Sequence, residues 1–235
     1  MAFLWRRKKR TPRPLSHGHS LARLKQLGFA PHTIYDIGAY RGAWTAMAKN
    51  VFPRSDYILF DANADNERAL KATKLPYFIV PLAAEDGVEK SFHLPRRAVA
   101  TGASLYRETT VHYSDDNVQV VPVTTRRLDA FIAEHKLAPP DLIKLDVQGA
   151  ELDVLNGAGA ALAGCGALIA EVGVLPYNQS APLIADVIAG VDRLGFRCVD
   201  ICELHQTGTR VLFQVDLMFV NAALFDALRK RAGFT

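Results

Sequence analysis

The sequence predicts an α/β fold: a doubly wound, mostly parallel sheet with an antiparallel hairpin at its C-terminal edge. Short apolar segments alternate with helical ones from residue 33 to residue 80 and again from residue 142 to residue 201. This βαβ order implies a parallel sheet with right-handed crossovers. The last two apolar segments have no helix between them, so we expect them to pair antiparallel. The 235 residues, of which 49% are apolar, fit one domain with one sizeable core.

The first half of the predicted sheet is built from three strands and the helices that precede or connect them. The strands are predicted at 33–37, 57–60 and 77–80, and the helices at 20–27, 43–52 and 65–74. Ser20 is placed to cap the first helix and Gly28 to end it. Pro53 and Pro76 follow the other two helices closely, and proline cannot continue a helix.

The middle of the chain is less regular. A short hairpin arm is predicted at 88–94, and residues 95–125 form a polar insertion that includes one strand, at 118–123. A helix is predicted at 128–135. Because long irregular segments inside compact domains are usually functional, we expect this insertion to lie on the substrate side.

Regular alternation returns after residue 140 and completes a sheet of about seven core strands. The remaining strands are predicted at 142–145, 167–171, 196–201 and 215–220, and the helices at 150–155, 182–194 and 222–231. Residues 19–235 are therefore predicted to form a single domain.

The N-terminal segment 1–18 is predicted to be a basic, disordered tail. The first sixteen residues contain six arginines and lysines and no acid, so the formal charge of +4 falls to −2 for the rest of the chain. A basic cluster beside Phe3, Leu4 and Trp5 can contact an anionic membrane surface, whereas no nucleic-acid partner is expected for the slightly acidic body. The tail lacks the apolar core of a signal peptide, and no apolar stretch approaches the ~20 residues that span a bilayer.

The three cysteines indicate a reducing compartment, because their number is odd and they show no disulfide framework. A cytoplasmic location is expected, with peripheral membrane contact through the tail. Cys198, Cys202 and His205 have loosely ligand-like spacing, but the cysteines fall on or beside a predicted strand, where they serve as small apolar residues. A zinc site would need a fourth ligand that the sequence does not supply.

The first strand–helix junction predicts a cofactor site. Gly38 and Gly42 surround a loop that begins with Asp36 and includes Ala39, but the G-x-G-x-x-G pattern of dinucleotide sites is absent. A carboxylate at this loop would repel a pyrophosphate and suits a cationic ligand such as S-adenosylmethionine. A simple structural turn is the alternative explanation.

The second strand supports a ligand that carries a ribose. It ends at Asp61, which lies 23 residues after Gly38 and is followed by Ala62. In nucleotide-binding βαβ units an acid at about this interval, ~20 residues, contacts ribose hydroxyls. Asp61 could instead cap the following helix.

The strand ends in the second half predict a catalytic site. Asp146 and Glu171 each follow a middle strand, and in a doubly wound sheet these ends face one crevice. Lys144 lies two residues before Asp146, so both side chains share one face of the strand. The two carboxylates could hold Mg²⁺, or one of them could act as a general base, with Asp146 the first candidate and Glu171 the second. The alternative is structural: Lys144 pairs with Asp146, and Glu151 favours the helix dipole.

These motifs together resemble the FkbM family of S-adenosylmethionine-dependent methyltransferases. The resemblance extends over about residues 33–220 and rests on residues 36–42, 127–129, 141–151, 155–157, 214–216 and 218–220. It implies the Rossmann-like, seven-stranded methyltransferase fold and methyl transfer to a hydroxyl of a sugar, glycan or glycosylated natural product. Two positions depart from the family pattern, Tyr40 for asparagine and Gln148 for glutamate, and the second weakens the Mg²⁺ hypothesis.

The resemblance also implies roles for single residues. Ala84 and Glu85 follow the third strand, where adenine contacts are expected. On the substrate side we expect Ser104, Tyr106, His112, Gln148 and Glu151. Two other functions stay open: a non-catalytic or regulatory S-adenosylmethionine-binding protein, and a nicotinamide-dependent oxidoreductase, which the missing glycines disfavour.

Overall fold

The computed structural model describes residues 15–96, 102–110, 113 and 115–234. Residues 1–14 of the predicted tail and His112 lie outside the described residues. The helices are α1 His17–Gln26, α2 Ala43–Val51, α3 Glu67–Ala72, α4 Leu128–His135, α5 Glu151–Asn156, α6 Ile184–Arg193 and α7 Ala222–Arg231. The strands are β1 Thr33–Ile37, β2 Asp56–Asp61, β3 Tyr77–Ile79, β4 Glu89–Pro95, β5 Val118–Thr124, β6 Leu142–Leu145, β7 Ala167–Gly173, β8 Phe196–Gln206 and β9 Leu212–Asn221.

The main sheet has seven strands in the order β3-β2-β1-β6-β7-β9-β8. The first five strands in this order, which end with β7, are parallel to one another. Strand β9 runs antiparallel to β7, and β8 pairs antiparallel with β9 at the edge. Strand β4, at the predicted hairpin arm, pairs antiparallel with β5 of the predicted insertion, and the two form a separate sheet. The predicted mostly parallel sheet and its C-terminal edge hairpin are therefore confirmed.

Both faces of the central strands are buried, which explains their continuous apolar sequences. In β1 the side chain of Ile34 packs into one hydrophobic cluster and that of Tyr35 into another. Leu142 and Ile143 of β6 divide in the same way. Helices therefore cover the sheet on two sides, as doubly wound topology requires.

The first helix begins earlier than the sequence predicted. Ser16, not Ser20, is its N-cap, and the Ser16 hydroxyl accepts a hydrogen bond from the His19 amide at 3.2 Å. Ser20 is buried and donates to a carboxylate oxygen of Asp200. Gly28 follows the helix with a φ of 92°, as expected of a helix-ending glycine. The ordered body thus includes His17, which the predicted boundary had assigned to the tail.

Strand β8 is longer than predicted, because it continues from residue 201 to Gln206 through local shifts of register against β9. Cys202 is fully buried among apolar side chains, as expected of a small core residue. The longer strand carries Glu203 and His205 to the edge where the site is built. Among the described residues, no helix has both the length and the apolar character needed to cross a membrane.

Candidate active site

A cavity of about 1390 Å³ opens at the carboxyl ends of the parallel strands. This is the edge where open α/β sheets bind ligands. One part is lined by Gly38, Tyr40, Phe60, Asp61, Ala62, Val80 and Leu82, and another by Asp146, Gln148, Glu171, Tyr177, His205, Phe213 and Gln214. The cavity therefore joins the two groups of strand ends that the sequence singled out.

The glycine loop after β1 must approach the end of β6 very closely. Gly38 has a φ of 77°, and a Cβ atom there would lie 1.8 Å from the backbone oxygen of Asp146. The amides of Gly38 and Ala39 both donate to the carbonyl of Phe60 at 2.9 Å. Because any side chain at position 38 would collide with backbone, the sequence needs glycine there.

Asp61 lines the cavity and also organises the loops around it. Its carboxylate accepts hydrogen bonds from the amides of Tyr40 at 2.7 Å and Asn63 at 2.8 Å, and from the Asn66 side chain at 3.1 Å. Burial raises the pKa of Asp61, although these three donors oppose the shift. Each carboxylate oxygen has two acceptor positions, so Asp61 retains capacity for a ligand hydroxyl.

Asp36 does not face the cavity, contrary to the predicted direct contact with a cofactor. It is fully buried; one oxygen accepts from the Thr45 hydroxyl at 2.6 Å, and the other lies 3.7 Å from the Lys144 ammonium without a hydrogen bond. Burial raises the pKa of Asp36, against the positive charge of Lys144. Asp36 lies behind the glycine loop and acts on the site through Lys144.

Lys144 and Asp146 form the expected pair on one face of β6. The Lys144 ammonium donates to Asp146 Oδ2 at 2.8 Å and lies 3.5 Å from the Gly38 carbonyl. Burial works to lower the pKa of Lys144, but the carboxylates of Asp146 and Asp36 outweigh it and the net shift is upward. Burial also works to raise the pKa of Asp146, but the Lys144 charge and donors from Lys144 and Gln148 hold it below its usual value.

Gln148 joins the two predicted catalytic carboxylates. Its side-chain amide donates to Asp146 Oδ1 at 2.9 Å and to Glu171 Oε1. The Gln214 amide also donates to Glu171 Oε1, at 2.7 Å. Burial, with the negative charges of Asp146 and Asp216, raises the pKa of Glu171 well above its usual value.

The predicted metal pair of Asp146 and Glu171 is not supported by this arrangement. Asp146 already accepts hydrogen bonds from Lys144 on one oxygen and from Gln148 on the other, and the Lys144 ammonium 2.8 Å away would repel a cation. Among the described residues, Glu171 instead groups with His205 and Asp216 as side chains of metal-ligand type. Gln148, which stands where the family pattern has glutamate, supplies an amide donor to the site.

Three of the predicted substrate-side residues do not line the cavity. They form hydrogen bonds that hold the segment after β6 in place. The Ser104 hydroxyl donates to the Gln148 carbonyl at 2.8 Å, and the Tyr106 hydroxyl donates to Asp153 at 2.9 Å. Glu151 accepts from the amides of Val147 at 3.1 Å and Gly149 at 3.2 Å. Gln148 alone of the described members of that set lines the cavity.

The residues that line the cavity after the third strand lie closer to its end than predicted. Val80, Pro81 and Leu82 line the cavity, whereas Ala84 and Glu85 lie outside its lining. The backbone carbonyls of Ala84 and Glu85 accept hydrogen bonds from Arg127 and Thr125. Val80 and Leu82, and not Ala84 and Glu85, are therefore accessible to a ligand in this cavity.

A second, smaller cavity of about 450 Å³ shares Asp146, Glu171 and His205 with the first. Its other lining residues are Ser16, His17, Gly18, Trp44, Met47, Lys144, Glu203 and Asp216. Its polar centre is Asp216, whose Oδ2 lies 2.8 Å from His17 Nε2 and 3.2 Å from His205 Nε2. Burial opposes ionisation of Asp216, but the hydrogen bonds from both histidines outweigh it and lower its pKa to about 2.

Several residues around the two cavities were not predicted from the sequence to have a role. Residues 214–216 were used only as a family motif, although Gln214 and Asp216 are polar residues two apart in an otherwise apolar strand, a pattern that marks one functional face. Tyr177, which accepts a hydrogen bond from Gln214, stands in a connecting segment without periodicity. No sequence pattern marked His17 as a site residue, because it follows a run of basic residues and was assigned to the predicted tail.

A match to a known family decides to which family the chain belongs. Residues 36–198 match the Methyltransferase FkbM domain, which is more than half of the chain. The chain belongs to this family. No protein of curated description matches it in sequence.

A solved FkbM methyltransferase structure shares the fold of this domain. An FkbM methyltransferase from Methylobacillus flagellatus KT aligns with a TM-score of 0.50 and 15% identity over 79% of this chain. The alignment covers 43% of that protein, so our chain corresponds to less than half of it. The magnesium protoporphyrin IX methyltransferase of Synechocystis PCC 6803, solved with bound SAM, aligns with a TM-score of 0.48 and 13% identity over 87% of this chain and 80% of its own.

Glu151 gives the FkbM domain a testable pH dependence. Burial raises its pKa to about 7 from an ordinary 4.5, although backbone donors oppose the shift. Because the pKa of Glu151 is higher in the folded than in the unfolded state, ionisation of Glu151 destabilises the folded protein. This cost is absent below pH 4.5 and grows as the pH rises to about 7. The free energy of unfolding of Glu151→Gln, relative to wild type, should therefore rise by up to about 3 kcal/mol between pH 4.5 and pH 8.

Urea unfolding at several pH values measures this difference. The exposed Glu89 provides the matched control, since Glu89→Gln removes a carboxylate that water already solvates. A Glu151→Gln difference that stays constant across the pH range would contradict the assigned burial cost.

Proposed function

We propose that this chain is an S-adenosylmethionine-dependent O-methyltransferase that acts on a hydroxyl of a sugar, glycan or glycosylated natural product. The observation that carries the proposal is the single large cavity, which joins the glycine-loop and Asp61 side to the Asp146 and Gln148 side. Two reactants must share such a space for direct group transfer, and holding them in line can contribute ~7 kcal/mol or more.

The residues on the first side of the cavity fit the cofactor. Asp61 would accept hydrogen bonds from the ribose, the apolar side chains of Val80 and Leu82 would contact the adenine, and the backbone at Gly38 would lie against the methionine part. When bound, S-adenosylmethionine supplies an electrophilic methyl group on a sulfonium. The loop lacks the G-x-G-x-x-G pattern whose backbone amides bind the pyrophosphate of a dinucleotide. This absence disfavours the oxidoreductase alternative.

The residues on the second side suit a polyhydroxylated acceptor. Tyr177 and Phe213 offer aromatic surface, with ring centroids 5.9 Å apart, and Gln148 and Gln214 offer amide groups. Apolar walls with a few fixed polar groups orient a ligand that has both carbon–hydrogen faces and hydroxyls. These features support a sugar-containing acceptor.

Asp146 is the proposed acceptor of the hydroxyl proton. It lines the cavity, and the Lys144 ammonium keeps it ionised. As the acceptor oxygen bonds to carbon, its proton becomes strongly acidic, so a carboxylate of low basicity is sufficient to receive it. Lys144 and Gln148 orient this carboxylate and are positioning residues.

Asp61→Asn tests the cofactor side. The exchange keeps the size of the side chain but removes an anionic acceptor, and hydrogen bonds to charged groups contribute about 1.5–3 kcal/mol. We expect S-adenosylhomocysteine to bind roughly 10- to 100-fold more weakly in calorimetry. Unchanged affinity in a variant with a native circular dichroism spectrum would remove Asp61 from the cofactor site.

Asp146→Asn tests the reaction itself. Tag-free protein is incubated with cell extracts and a heavy-methyl cofactor, and labelled products are identified by mass spectrometry. We expect wild-type protein to label a hydroxyl-bearing product, and Asp146→Asn to lose most of the rate, about 100-fold, while it still binds S-adenosylhomocysteine. Asp226→Asn, at an exposed position of α7, is the matched control and should retain the rate.

Cofactor binding without any labelled product, from the wild-type protein, would favour the non-catalytic alternative. Labelling of a nitrogen or carbon atom would contradict O-methylation and leave the cofactor assignment intact. Full turnover by Asp146→Asn would exclude Asp146 as the proton acceptor.

The basic tail is proposed to bring the domain to anionic membrane surfaces from the cytoplasm. Because Ser16 caps α1, a truncation must stop at residue 14 to leave the folded body intact. Removal of residues 1–14 should abolish salt-sensitive binding to phosphatidylserine vesicles in sedimentation assays and leave cofactor affinity unchanged. Equal vesicle binding by the truncated protein would contradict this role.

A further inference from the structure

The geometry points to a binding site for a divalent first-row transition-metal ion formed by Glu171, His205 and Asp216. These residues come from three adjacent strands, β7, β8 and β9, and their ligand atoms all lie within 4.8 Å of one another. The site differs from the predicted Asp146–Glu171 pair, because it excludes Asp146 and includes a histidine. One histidine and two carboxylates, with space for an exogenous ligand, are typical donors for such ions.

The distances between donor atoms fit a shared ion. Ligands about 2.1 Å from one metal, at octahedral or tetrahedral angles, lie about 3.0–3.4 Å apart. His205 Nε2 lies 3.2 Å from Asp216 Oδ2 and 3.7 Å from Glu171 Oε2. Small side-chain movements would therefore bring all three donors around one ion.

Neighbouring groups hold the two carboxylates in the required orientation. Gln148 and Gln214 both donate to Glu171 Oε1, which leaves Oε2 directed at His205. Hydrogen bonds of this kind to ligating carboxylates are a regular feature of metal sites.

His17 completes this outer layer and is not itself a ligand. The Trp44 indole N–H donates to His17 Nδ1 at 3.1 Å, so the ring proton must lie on Nε2. His17 Nε2 therefore donates to Asp216 Oδ2, at 2.8 Å, and has no lone pair for a metal. This pair of contacts fixes the Asp216 carboxylate beside His205.

The charge balance of the cluster also favours a cation. Within the described part of the chain, the ion pairs of Glu171, Glu203 and Asp216 involve only histidines and no lysine or arginine. Lys144 is engaged by Asp146 and Asp36. Glu171 and His205 line both cavities and Asp216 lines the smaller one, so an ion could reach this cluster from solvent.

An ion there would border the acceptor side of the large cavity, because Glu171 and His205 line both cavities. If the proposed function holds, the ion would polarise the acceptor hydroxyl or fix its position next to Asp146. The binding of the ion itself does not depend on that function.

Metal binding by the full chain tests the inference directly. Tag-free protein is dialysed against a chelator and then titrated with ZnCl₂ by calorimetry, and zinc is counted by elemental mass spectrometry after gel filtration. We expect a single zinc ion per wild-type chain. His205→Ala and Asp216→Asn should each bind zinc at least about tenfold more weakly.

Two matched variants control for non-specific binding. His32→Ala and Asp226→Asn remove the same chemical groups at exposed positions away from the cluster and should bind zinc like the wild type. Circular dichroism and the urea unfolding midpoint show whether each variant is folded, and His205→Gln replaces His205→Ala if the latter fails this check. Residues 1–14 contain no histidine, cysteine or acid, so the tail cannot supply ligands.

The inference is wrong if wild-type protein binds no zinc, or if the His205 and Asp216 variants bind it as tightly as the controls do. Failure of the proposed function has a different signature, because it would show as absent cofactor binding or absent methyl transfer. Zinc binding without methyl transfer would therefore retain the metal site and reject the enzyme.

Discussion

The site depends on one buried ammonium group. Lys144 on β6 lies between Asp36 of β1 and Asp146 at the end of its own strand, and its ammonium also approaches the Gly38 carbonyl. A buried charge of this kind is stable only with its partners, and removal of one partner costs about 3–5 kcal/mol. The same contacts hold the glycine loop against β6, so Lys144 links the glycine-loop part of the cavity to the Asp146 part.

A chain of polar contacts extends from this ammonium across the sheet. Asp146 accepts a hydrogen bond from Lys144 on one oxygen and from Gln148 on the other. The Gln148 amide also donates to Glu171. Glu171 then meets the histidine and carboxylate group around Asp216. Asp146 directly follows β6, Glu171 lies near the carboxyl end of β7, and Asp216 of β9 is the pairing partner of Glu171, so the sheet register determines their spacing.

Most of the fold could be predicted from the sequence because its elements follow local rules. The strands and helices between residues 33 and 80 were located to within a few residues, since apolar periodicity, glycine and proline define them locally. The exceptions involve contacts between distant segments: Ser20, the predicted cap of α1, instead donates to Asp200 of β8 while Ser16 caps the helix, and β8 is lengthened by pairing with β9. Such contacts join distant parts of the chain and leave no local pattern.

The sequence by itself determined the topology, the family and the residues at the strand ends: Gly38, Asp61, Lys144, Asp146 and Glu171. These follow from patterns that are read along the chain. Only the tertiary structure decided which side chains face the cavity, turned Asp36, Ser104 and Glu151 into supporting residues, and brought His17, His205 and Asp216 together. The physical reason is that burial and donor geometry arise between segments far apart in sequence, such as α1 and β9.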